Sequence, residues 1–70
     1  MNKNIDRRAA SYLSGYIGIG GSVDLGYRRG LGWAERQPEG RDLALAALAA
    51  AAKRFGAPKM ADRFTLQMSV

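Results

Sequence analysis

Three basic doublets, Arg7-Arg8, Arg28-Arg29 and Lys53-Arg54, alternate along the chain with Tyr12, Tyr16 and Trp33, and these are the residues with which it could do chemistry. That chemistry is recognition. Guanidinium groups pair with phosphate or carboxylate, and aromatic rings stack on bases or anchor in apolar pockets. Catalysis has far less to work with. The sequence has no cysteine and no histidine, which excludes thiol nucleophiles, disulfides, Cys/His metal centres and imidazole acid–base work. The acids Asp6, Asp24, Glu35, Glu39, Asp42 and Asp62 are scattered, with no spacing that makes a carboxylate dyad. Serines 11, 14, 22 and 69 lack a nucleophile-elbow context. We therefore assign no catalytic, cofactor-binding or metal-ligating residue, and expect no cofactor.

Gly15-x-x-Gly18-x-Gly20-Gly21 and Gly30-x-Gly32 have the density of phosphate-binding loops but not the order. Such a loop must open a helix so that its N–H groups meet the phosphate, and no Gly-Lys-Ser/Thr follows these glycines.

Eleven Lys and Arg against six Asp and Glu leave a net charge of +5, and the sequence pI near 10.3 draws the chain toward phosphate at low salt. The 70 residues form one domain, 1–70, with little core to spare. Without disulfide or metal, stability alone makes a homodimer an expectation. No apolar signal region follows the basic N-terminus, and the longest apolar run, Leu43 to Ala52, is mostly alanine and about half of a bilayer span. A cytoplasmic chain without a membrane partner is expected.

The elements that must position these groups are read from periodicity. Leu13-x-Gly15-x-Ile17-x-Ile19 and Val23-x-Leu25-x-Tyr27 alternate on either side of Gly20-Gly21-Ser22, which predicts a hairpin. A three-residue loop pairs Ile19 with Val23, Ile17 with Leu25 and Gly15 with Tyr27, gathering the aliphatic side chains on one face and turning Tyr12, Tyr16 and Arg28 to the other. Leu31, Gly32 and Trp33 add a short third strand, and Gln37-Pro38-Glu39-Gly40 a turn. From Arg41 the period becomes helical: Leu45, Leu48, Ala52 and Phe55 form a stripe, with Gly56 and Pro58 as a stop. Phe64, Leu66, Met68 and Val70 alternate with polar residues and predict a closing strand; the Ile5, Ala9, Tyr12 spacing permits a short helix or an irregular arm at the N-terminus, and the arm, residues 1–11, is the expectation. The expected fold is α+β: a β-β-(β)-α-β two-layer sandwich with one helix on an antiparallel sheet of three or four strands.

On that architecture the open sheet face with Tyr12, Tyr16 and Arg28, together with Arg29 and with Trp33 in a glycine-rich loop, is the expected contact surface for a larger protein or nucleoprotein. Small cysteine-free chains rich in Ala, Arg and Gly are often phage or bacterial inhibitors or regulators of a host complex such as a defence system, which makes that an expected role. The alternative is direct DNA or RNA binding through the same face with Arg7, Arg8, Lys53 and Arg54.

Overall fold

The computed structural model describes residues 3–17 and 23–68, and within them all regular structure is helical, with no strand. Four helices follow one another: α1 (Lys3–Ser14), α2 (Val23–Glu35), α3 (Arg41–Arg54) and α4 (Pro58–Met68). The α+β sandwich is overturned, and α3 lies at the centre, with α1, α2 and α4 each packed on it.

α3 is the element the sequence describes best. Leu45, Leu48 and Ala52 are fully buried, while Phe55, the last residue of the expected stripe, caps the helix at 37% exposure. Burial goes well beyond the stripe, because Ala44, Ala47, Ala49 and Ala51 are covered too. A helix apolar on most sides is a core helix, and its small side chains let three neighbours approach at once. Its two ends follow from local chemistry. Gly40 enters at φ 109, and the expected turn at Gln37-Pro38-Glu39-Gly40 joins two helices, closed by the Gly40 N–H donating to the Gln37 carbonyl at 3.1 Å. At the other end the Ala57 N–H donates to Ala52 O and the Gly56 N–H to Lys53 O, with Gly56 at φ 81. That is a Schellman ending, and Ala57 and Ala52, both buried, make its apolar contact. Pro58 stops α3 and also starts α4, since the first helical position needs no N–H donor.

The expected strands fail for one physical reason: over five or so residues, alternation and helical spacing cannot be told apart. Phe64, Leu66 and Met68 alternate, but Met60, Phe64 and Met68 also lie one turn apart, and the helix buries Met60, Ala61 and Phe64 while leaving Leu66 66% exposed. Val23, Leu25 and Tyr27 belong to α2, whose buried face is Gly26, Tyr27, Gly30, Trp33 and Ala34. Leu31, Gly32 and Trp33, expected as a third strand, continue that helix. The hairpin pairings Ile17–Leu25 and Gly15–Tyr27 do not form, because Gly15 to Ile17 turn out of α1 and the other two residues are helical. The Gly20-Gly21-Ser22 loop and Ile19 lie outside the described residues. The irregular arm is corrected as well: Ile5, Ala9 and Leu13, spaced by four, are the buried stripe of α1.

Glycines read as turn and strand signals are contact positions instead. A Cβ on Gly30 would lie 2.6 Å from Phe64 Cζ and 3.4 Å from Leu48 Cδ1. On Gly26 it would meet Met60 Cε at 2.8 Å and Tyr16 Cβ at 3.0 Å. The bare backbone of α2 thus makes room for the ring of Phe64, which also packs on Tyr27 with centroids 5.4 Å apart. Polar groups finish this seam. Arg63 lies over the Tyr27 ring at 3.8 Å, and Gln67 donates from Nε2 to the Tyr27 hydroxyl at 2.7 Å.

No helix of the described residues is long and apolar enough to cross a membrane.

Candidate interaction surfaces

The α1/α2 seam brings Tyr12, Tyr16 and Trp33 together. Tyr12 sits in the last turn of α1 and Tyr16 one turn beyond, so both rings lean toward α2. The Tyr12 ring stacks on Trp33 with centroids 5.4 Å apart and planes 26° apart, and meets Tyr16 at 5.5 Å and 43°. The Tyr12 hydroxyl donates to the Arg29 carbonyl at 3.2 Å. Burial is the main cause that raises the Tyr12 phenol above its ordinary pKa, the Tyr16 hydroxyl adds to it, and the charges of Arg36 and Arg29 oppose it.

The expectation that Tyr12 and Tyr16 stand outward on an open sheet is therefore corrected: both are half-buried, and Trp33 is buried to 9% exposure. What remains on the surface is the rim. Arg29 and Arg36 are exposed, and neither makes an ion pair with a described residue. Arg28 is exposed and paired with Asp24 at 3.5 Å, one helical turn away. Asp24 also takes Arg63 at 3.4 Å. Arg36 was missed in the sequence because its segment was read as a strand followed by a turn. It is the first residue past the end of α2, where its N–H donates to the Trp33 carbonyl at 3.1 Å, so it stays beside Trp33 at the end of the helix that carries Arg29.

The basic residues assigned to nucleic acid are divided by the fold. Arg8 is occupied. Its Nη1 and Nη2 donate to both Glu39 carboxylate oxygens at 2.8 Å, and Nη2 donates to Gln37 Oε1 at 2.7 Å. Gln37 in turn donates from Nε2 to the Trp33 carbonyl at 2.9 Å, so one guanidinium ties α1 to the α2–α3 turn. Arg7, about 100° further round α1, is exposed and joins Lys3, Asp6 and Ala10 along an open groove of about 360 Å³ whose far wall is Arg54. Lys53 is exposed on the neighbouring row of α3 and lines no part of it.

The Arg8 contact has a pH signature. Its hydrogen bonds hold the Glu39 carboxyl below the usual carboxylate range, helped by the residue's own backbone N–H and opposed by burial. A depressed folded-state pKa stabilises the fold fully above the unfolded value, about 4.3, and that contribution disappears as pH falls through the folded one. Glu39→Gln should therefore lower the urea midpoint at pH 7, with the gap to wild type closing below about pH 4. A gap that persists in acid would show that the charge is not the cause.

A second surface cavity, about 430 Å³ and almost wholly apolar, lies where Val23 faces Gly56, Ala57, Pro58, Lys59 and Met60. No group of three His, Cys, Asp or Glu residues that could hold a metal gathers among the described residues. Comparison of the chain with protein-family models, with curated proteins and with solved structures gives no match.

Proposed function

We propose that this chain is a non-enzymatic binding protein that docks on a larger protein or nucleoprotein through its α1/α2 face, acting by occupancy as an inhibitor or regulator does. The observation that carries the reading is the Tyr12 ring, stacked on Trp33 and tilted against Tyr16, rimmed by the exposed guanidinium groups of Arg29 and Arg36, which make no ion pair with a described residue. Tyr and Arg are among the residues that dominate binding energy at protein interfaces, and the half-buried rings of Tyr12 and Tyr16, already held by each other and by Trp33, lose little freedom when a partner covers their exposed part. The composition supports the non-enzymatic half of the proposal, since the groups most often used for nucleophilic and acid–base catalysis are missing from the sequence.

The variant that tests it must leave the stack alone. Tyr16→Ala would disturb the packing over Gly26 and against Tyr12, whereas Arg29 and Arg36 are exposed. With the tagged chain, a partner is identified from the source cell, purified and titrated. The double variant Arg29→Glu/Arg36→Glu should weaken that complex by at least about tenfold while keeping the helical circular dichroism, because reversed rim charges oppose a complementary surface. Unchanged affinity would remove the α1/α2 face as the contact. Recovery of nothing beyond a second copy of the chain would remove the docking role.

A further inference from the structure

The groove between α1 and the last turn of α3 takes no part in the docking face, and its chemistry is of another kind. Lys3 and Arg7 line one wall one turn apart on α1, Arg54 lines the other, and Ala10 leaves the floor low between them. All three cations are exposed, and none makes an ion pair with a described residue. Asp6 is the one acid in the lining, so positive charge prevails.

We propose that this groove binds the phosphodiester backbone of duplex nucleic acid without reading its sequence. Three arguments select that ligand. Contacts with proteins centre on large apolar or aromatic anchors, and apart from Ala10 every residue lining this groove is charged; phosphate binding needs only cations, because displaced counterions supply the free energy. A single strand is held by rings stacked on its bases, and no ring lines the groove, whereas a duplex keeps its bases stacked inside and presents its phosphates outward. The groove is also an open surface depression rather than an enclosed cavity, so a polymer backbone can lie against it. The proposal is independent of the α1/α2 reading, which uses other residues and fails by another test.

The experiment is a titration by fluorescence anisotropy of a labelled random-sequence DNA duplex of about 20 base pairs at rising salt. Three phosphate contacts give a slope of about −2.7 in log K against log salt, so raising salt from about 50 to about 200 mM should weaken wild-type binding about 40-fold. Arg7→Gln and Arg54→Gln should each lose about one unit of slope and weaken only about 12-fold over the same range. Arg28→Gln removes the same charge from another face and should keep the wild-type slope. Asp6→Asn, which takes a carboxylate out of the groove, should tighten binding, a gain that misfolding cannot mimic. The proposal is overturned by an equal loss of slope in Arg28→Gln, by no duplex binding at about 50 mM salt, or by binding to phosphatidylserine vesicles with none to the duplex.

Discussion

Phe64→Ala is expected to leave most of the chain unfolded at 25 °C. Phe64 is fully buried in α4, its ring lies in the space left by Gly30 of α2, and it packs on Tyr27. Removing a buried phenyl group costs about 3–5 kcal/mol, and a core of this size rarely supplies more than about 3–5 kcal/mol in total. No disulfide shares the load, since the chain has no cysteine. The check is a urea titration followed by helical circular dichroism. A variant that still unfolds cooperatively with a midpoint near that of wild type would show that the α2/α4 seam is not where the stability lies.

Two glycines of α2 should respond to alanine in opposite directions. Alanine stabilises an exposed helix position by about 0.5–1 kcal/mol relative to glycine, because the unfolded chain has less freedom to lose. At Gly32 the added methyl group would meet only the end of the Arg36 side chain, at 3.4 Å, which can move aside. At Gly30 it would lie 2.6 and 2.9 Å from two carbons of the Phe64 ring, and that ring is fully enclosed. Overpacking of this kind costs about 1–3 kcal/mol, which exceeds the propensity gain. Gly32→Ala should therefore raise Tm by a few degrees and Gly30→Ala should lower it, by about 4–8 °C for each net kcal/mol in a chain of this length. Pairing Gly30→Ala with Phe64→Leu, which shortens the opposing side chain, should cost less than the two single changes added together. Strict additivity would mean that the two residues do not touch.

These predictions rest on a fold of which the sequence shows one element plainly. α3 combines a stripe, a run of alanine and a glycine-proline ending, and local signals of that strength agree with one another before any neighbour is placed. The other three helices carry conflicting signals. In α2 the glycines argue for turns, and only the ring of Phe64, 34 residues away in sequence, turns Gly30 into a position that a helix can use. In α4, Leu66 completes an apparent alternation, yet it ends up facing water. Helix propensity and two-residue periodicity were both weak over these spans, and packing against α3 decided between them.

The surfaces divide in the same way. The sequence places Tyr12 and Tyr16 on a sheet face, and the structure has no sheet among the described residues. A helical path brings the same rings into contact with one another and leaves Arg29 and Arg36 as the exposed part. Arg7 and Arg8, adjacent and chemically identical, have opposite fates, because one points at Glu39 across 31 residues of sequence and its neighbour points at open solvent.

The amino-acid sequence alone settled the excess of positive charge, the missing thiol and imidazole chemistry, and the course of the alanine helix with both of its ends, since each depends on residue type or on interactions within about four positions. Tertiary structure alone settled whether the remaining segments coil or extend, and which cations stay free to meet a partner. Both outcomes depend on what lies opposite a side chain in space. For the glycines of α2 and the arginines of α1, the group opposite is supplied by a distant part of the chain.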